Sequence, residues 1–153
     1  MSTPEERLAE LGLTVPEVVP PVAAYLPAVR SGTYVYTAGQ LPMRDGALMA
    51  TGKVGAGVTA EEATACAEQC ALNAIAAIRS VVDDLSAVRI VRVGAFVASD
   101  PSFTGQPGVA NGASDLFGKV FGDNGVHARS AVGVPVLPLD APVEVDVVAE
   151  ILS

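Results

Sequence analysis

The most regular pattern in the chain lies near its end, where Val143, Val145, Val147, Ala149 and Ile151 alternate with Glu144, Asp146 and Glu150. A period of two places one side of a strand in the core and leaves the other polar. The run His127-Ala-Arg-Ser-Ala-Val-Gly-Val before it is also strand-like, and Pro135, Pro138 and Pro142 separate the two. The pair reads as a closing hairpin, with Arg129 opening its first strand and Glu144 early in its second. A different period governs the middle of the chain. Thr59-Ala-Glu-Glu62 has the hydroxyl and carboxylate spacing of a capping box and predicts a helix to about Asp84. Cys66, Cys70, Ala74, Ala77 and Val81 share one stripe of that helix, flanked by Ala67, Ala71, Ile75, Ile78 and Val82, while Glu61, Glu62, Glu68, Arg79 and Asp83 fall largely outside it. So many alanines let a helix sit close to a sheet.

The remaining segments fill in the order. Pro4 to about Leu13 is a short amphipathic stretch, and Pro16, Pro20 and Pro21 stop any helix there. Ala23 to Val29 reads as a strand, Ser31-Gly32 as a turn, and Thr33 to Gln40 as a second strand, together a hairpin. Asp45 to Gly57 is a loop with room for one short strand. Val88 to Ser99 is a strand whose Arg89 and Arg92 are solvated or ion-paired. A second helix runs from about Val109 to Phe121 and ends at Asp123-Asn-Gly125. Strand, strand, helix, strand, helix, strand, strand predicts an α+β domain with two helices on one face of a mixed sheet. The single domain spans residues 1–153, with 1–20 as an amino-terminal extension. The other sheet face also needs cover, and a chain of this size has little left to give. Association into a closed ring is the natural solution.

Composition narrows the function. Nine Lys plus Arg against 17 Asp plus Glu give a net charge of −8, which argues against non-specific nucleic-acid binding. No apolar run has the roughly 18 residues of a membrane span. The acidic start, Met1-Ser-Thr-Pro-Glu-Glu-Arg, does not resemble a secretory signal, so a cytoplasmic location is expected. Cys66 and Cys70 lie one helical turn apart, poorly placed for a structural disulfide. With one histidine in the chain they lack the partners of a metal site, so both are expected as buried small hydrophobes, with no metal bound. Arg129 is the candidate of chemical interest. A guanidinium among apolar strand residues requires an anionic partner, and its planar fork matches a carboxylate. That partner is either a small carboxylate-bearing ligand or a structural ion pair such as Glu144.

Certain residues carry a resemblance. Gly39-Gln40-Leu41-Pro42, ending a Tyr-Thr strand, resembles a strand end seen in the Rid family. Ala128-Arg129-Ser130-Ala131-Val132, then Leu137-Pro138, then Val143-Glu144-Val145, resembles that family's carboxy-terminal signature. These are the RidA/YjgF-like reactive intermediate deaminases, also called endoribonuclease L-PSP. The resemblance implies a chorismate-mutase-like fold, a homotrimeric barrel and clefts between neighbouring subunits. It also implies hydrolysis of 2-imino or 2-enamino acids to 2-oxo acids and ammonia, without metal or organic cofactor. Residue by residue, Arg129 is similar to the arginine that grips the substrate carboxylate and Glu144 to the carboxylate that positions water. Tyr25, Gly39 and Asn111 match cleft positions. Ala38 stands where the family has serine, Ala131 where cysteine is common, and His127 where proline is common. His127, the lone histidine, suits an acid or base at the cleft rim. The alternative is a non-catalytic trimeric module that binds small carboxylates or lends its surface to partners. A ribonuclease reading ranks below both, since the chain is acidic and lacks a histidine pair.

Overall fold

A computed structural model describes residues 2–21 and 23–153; Met1, the first residue of the expected extension, lies outside them. Helix α1, Pro4–Glu10, is built on a complete capping box. The Glu6 N–H donates to Thr3 Oγ1 at 3.1 Å and the Thr3 N–H returns a bond to Glu6 Oε2 at 2.8 Å. Pro4 occupies the first turn, where its missing N–H costs nothing. Leu8 is fully buried, so the extension forms part of the core.

Strands β1, Ala28–Ser31, and β2, Tyr34–Thr37, form the expected antiparallel hairpin. Gly32, at φ +61°, supplies the left-handed residue of its tight turn. The first strand begins later than the expected Ala23, because Pro27 has no N–H for a ladder and the preceding segment bends. The expected loop contains one short strand, β4 (Ala47–Leu48), which pairs with another just before it, β3 (Met43–Arg44). Asp45 and Gly46 between them have φ of 53° and 83°, and an Asp-Gly pair favours such a turn.

Helix α2, Ala60–Arg79, starts where the Glu62 N–H donates to Thr59 Oγ1 at 3.1 Å. It stops five residues short of the expected Asp84. Ser80 Oγ turns back to the Ala77 carbonyl at 2.6 Å, and Asp84 caps a separate 3-10 turn through the Ser86 N–H at 2.9 Å. Ser and Asp side chains compete in this way with helix continuation. Strand β5, Val88–Ala98, helix α3, Gln106–Phe121, and strands β6, Ala128–Val134, and β7, Val143–Ile151, complete the chain.

The sheet order β1-β2-β7-β5-β6 overturns the expected closing hairpin. β6 and β7 do not pair. β5 lies between them, parallel to β6 and antiparallel to β7. A parallel neighbour needs a crossover, and α3 provides it. The long apolar β5 gains a ladder on both sides, which a local β6–β7 hairpin would have denied it. The α+β reading of a mixed sheet with two helices on one face holds. On that face Val93, Ala95, Val97, Val143, Val145 and Val147 pack beneath α2 and α3. The other face carries Tyr34, Tyr36 and Val132, each more than 40% exposed.

Candidate functional site

Three residues on one stripe of α3, at positions i, i+4 and i+7, hold the Arg129 guanidinium. Nη1 donates to Asn111 Oδ1 at 2.7 Å and to Ser114 Oγ at 3.0 Å, while Nη2 donates to the Pro107 carbonyl at 3.1 Å. All three acceptors are neutral. Among the described residues no carboxylate pairs with Arg129; the ion pair found there joins Lys53 to Asp140. A guanidinium has five N–H donors. Three are engaged, which leaves Nε–H and one Nη2 hydrogen for a further acceptor. The register explains the geometry. Arg129 lies beside Val93 in a parallel ladder, and Val93 faces the core, so Arg129 points to the helix side of the sheet edge.

His127 extends this cluster. Its Nδ1 lies 2.6 Å from the Gly125 carbonyl, an acceptor only, so Nδ1 carries a hydrogen. Nε2, 2.9 Å from Ser114 Oγ, is then the acceptor of the neutral ring. The Phe117 ring meets the imidazole edge-on, with centroids 5.9 Å apart and an interplanar angle of 87°. A shallow depression of about 310 Å³ lies here, bordered by Ser114, Gly118, Gly125, Val126, His127 and Arg129.

Glu144 sits elsewhere. It pairs with Phe96, three residues beyond Val93 on β5, so it points to the opposite face of the sheet from Arg129. An ion pair between the two within one chain is therefore ruled out. The Gln40 and Val145 backbones exchange bonds at 2.8 and 3.0 Å, which brings Gly39 against the Glu144 side chain. A Cβ on Gly39 would stand 2.3 Å from Glu144 Oε2, so a side chain there would push this carboxylate from its position. Burial pushes the Glu144 carboxyl above its ordinary range, and the neighbouring Asp146 charge adds to that. Asp146, on the same face, is also raised by burial, partly offset by Arg92. Both border the open face, where a depression of about 330 Å³ is lined by residues including Tyr36, Arg92, Phe96, Ser130, Val132 and Asp146.

The expected site residues thus divide into two groups. Arg129, Asn111 and His127 meet at the β6 edge. Glu144, Gly39 and Ala38 meet at the β2–β7 side, where the Ala38 N–H donates to the Pro27 carbonyl at 2.8 Å. Tyr25 lies two residues before Pro27 in a bend, not in a strand, and is 45% exposed. The sequence reading did not single out Ser114, Pro107 or Asp146. The stripe Pro107, Asn111, Ser114 was readable as one helix face, and Asp146 as the next polar position after Glu144. Cys66 and Cys70 are free and buried, and burial raises both thiols. Among the described residues no three His, Cys, Asp or Glu side chains cluster as metal ligands, and no helix is long and apolar enough to cross a membrane.

Residues 5–151 match the family described as "YjgF/chorismate mutase-like, putative endoribonuclease". Protein TCP17 of Trypanosoma cruzi is 44% identical over 147 residues, covering 95% of this chain and 92% of that protein. The crystal structure of a protein of unknown function from Agrobacterium tumefaciens is 44% identical, with a TM-score of 0.91 over 97% of this chain and 92% of that one. The YjgF gene product of E. coli, at 20% identity, shares the fold with a TM-score of 0.66 over 98% of each chain.

Proposed function

Because this chain belongs to the YjgF/chorismate mutase-like family, we propose that it hydrolyses 2-imino or 2-enamino acids to 2-oxo acids and ammonia. The observation that carries this reading is Arg129, a guanidinium fixed by three neutral acceptors with two N–H groups left over. Such a group is built to receive a carboxylate. The substrate is electrophilic once its nitrogen is protonated. Water adds to the C=N carbon, the C–N bond of the resulting carbinolamine breaks, and a 2-oxo acid and ammonium leave. Glu144 takes a proton from the attacking water and passes it to the nitrogen; as the C–N bond breaks it accepts the hydroxyl proton, which goes on to the released ammonia to give ammonium. Its raised carboxyl suits a group that must both accept and return a proton.

Arg129 and Glu144 of one protomer point to opposite sheet faces, so one cleft draws them from different protomers. The exposed Tyr34, Tyr36 and Val132 are the surface a ring of three would cover. The soluble-substrate cleft then repeats three times. The competing reading, a carboxylate-binding module without turnover, draws support from Ala38 and Ala131, which place methyl groups where a hydroxyl and a thiol would serve chemistry. Endoribonuclease chemistry finds little support in a chain of net charge −8.

An amino acid oxidase that generates the imine in situ, with semicarbazide as trap, tests the proposal. Wild type should lower the trapped imine, and Arg129→Ala should cut that effect about 10- to 100-fold, the worth of hydrogen bonds to a charged group. Equal trapping with and without protein, across several amino acids, removes the enzyme reading. Bound 2-oxo acid without turnover would establish the binding module instead.

A further inference from the structure

We infer that His127 and Ser114 are positioning residues for Arg129, a hydrogen-bonded relay that aims the carboxylate anchor. The inference rests on the reading of Arg129 given above. The relay runs in one direction. The Gly125 carbonyl fixes the hydrogen on Nδ1 of His127. Nε2 then accepts from the Ser114 hydroxyl. With its hydrogen committed to His127, Ser114 Oγ presents a lone pair to Arg129 Nη1. Without the imidazole acceptor the hydroxyl is free to rotate, and its hydrogen can swing toward a guanidinium that has none to receive it.

Both ends of the relay are anchored. A Cβ on Gly125 would stand 2.0 Å from the Phe117 carbonyl, so the loop carrying the terminal acceptor is docked directly on α3. Phe117, on the same helix, holds the imidazole edge-on. Asn111 and Pro107 engage two more guanidinium hydrogens from that helix, leaving Nε–H and one Nη2 hydrogen for the ligand. One rigid element thus sets every contact that orients Arg129.

The test is calorimetric titration with 2-oxobutanoate, a product-class carboxylate that undergoes no turnover, alongside kcat and KM in the trap-coupled assay. His127→Leu and Ser114→Ala should each weaken binding about threefold to tenfold, the worth of one neutral hydrogen bond. The loss should fall on Kd and KM and leave kcat nearly unchanged. His127→Gln, which restores an acceptor at the Nε2 position, and Ser114→Thr, which keeps the hydroxyl, should recover most of the affinity. The double variant His127→Leu with Ser114→Ala should bind no more weakly than Ser114→Ala, since His127 acts on Arg129 only through Ser114. Additive losses, or a Gln variant as weak as Leu, overturn the relay. Loss of binding in Arg129→Ala with full binding in His127→Leu also overturns the relay and leaves the anchor standing. Equal binding by wild type and Arg129→Ala, or none by either, overturns the anchor and the relay together.

Discussion

Replacing Gly112 by alanine probes the contact on which the site's scaffold depends. Gly112 lies in α3, between Asn111 and the buried Ala113, where the helix passes closest to α2. A Cβ built there would stand 2.1 Å from the Thr64 carbonyl oxygen and 3.0 Å from its carbon, where real Cβ contacts stay beyond 3.0 Å. The obstacle is helix backbone, which cannot rotate away, so α2 and α3 must separate by about 0.9 Å or tilt. Overpacking of this kind costs about 1–3 kcal/mol. For a domain of this size each kcal/mol lowers Tm by about 2–4 °C, so Gly112→Ala should melt about 2–12 °C early. The same helix contains its own control. Gly118 is also interior to α3, yet a Cβ there meets nothing within 4 Å. Removing a helix glycine without a clash gains about 0.5–1 kcal/mol, so Gly118→Ala should melt slightly later than wild type. Circular dichroism melts at matched protein concentration read both. If Gly112→Ala melts at or above the wild-type temperature, or if Gly118→Ala falls as far, the close approach of the two helices does not constrain the fold as argued.

Glu144→Gln tests the cost of burying a charge. A carboxyl raised by burial prefers its proton in the folded state, so wild type loses stability as pH rises from the unfolded carboxylate range through the raised folded value. The glutamine variant should therefore melt higher than wild type at neutral pH, with the difference closing toward the acid side of that window, while imine hydrolysis falls; a variant that is less stable at neutral pH contradicts the assignment. Mixed ring assembly tests the division of the site between protomers. If three protomers close a ring, equal amounts of Arg129→Ala and Glu144→Gln chains, unfolded and reassembled together, should regain about one quarter of wild-type activity, the chance that a cleft receives both intact residues; neither variant reassembled alone should rise above its own residual activity.

Much of this arrangement was legible in the sequence, and the failures share one cause. Local patterns were read correctly where the determining contacts are local: the Thr59 cap, the alanine stripe of α2, the alternation of β7. The Thr3–Glu6 capping box and the Asp45-Gly46 turn were equally local and were present in plain view. The closing hairpin failed because proximity in sequence competes with a longer-range demand. β5 is apolar on most positions and needs a strand on each side, and only insertion between β6 and β7 supplies both. That insertion matters for chemistry as well as topology. In a hairpin Arg129 and Glu144 would be cross-strand neighbours, and their pairing as a structural ion pair would be the simplest reading. With β5 between them the pairing is impossible in one chain: parity along β5 sends the arginine to the helix side and the glutamate to the open side. The arginine instead finds Asn111 and Ser114, which helical spacing sets on one face, with His127 bonded to Ser114; the sequence spacing does not show that this face meets the β6 edge. They meet because α3 is the crossover that β5 and β6 require. The strand order that separates the two candidate residues is thus also what assembles the surroundings of one of them.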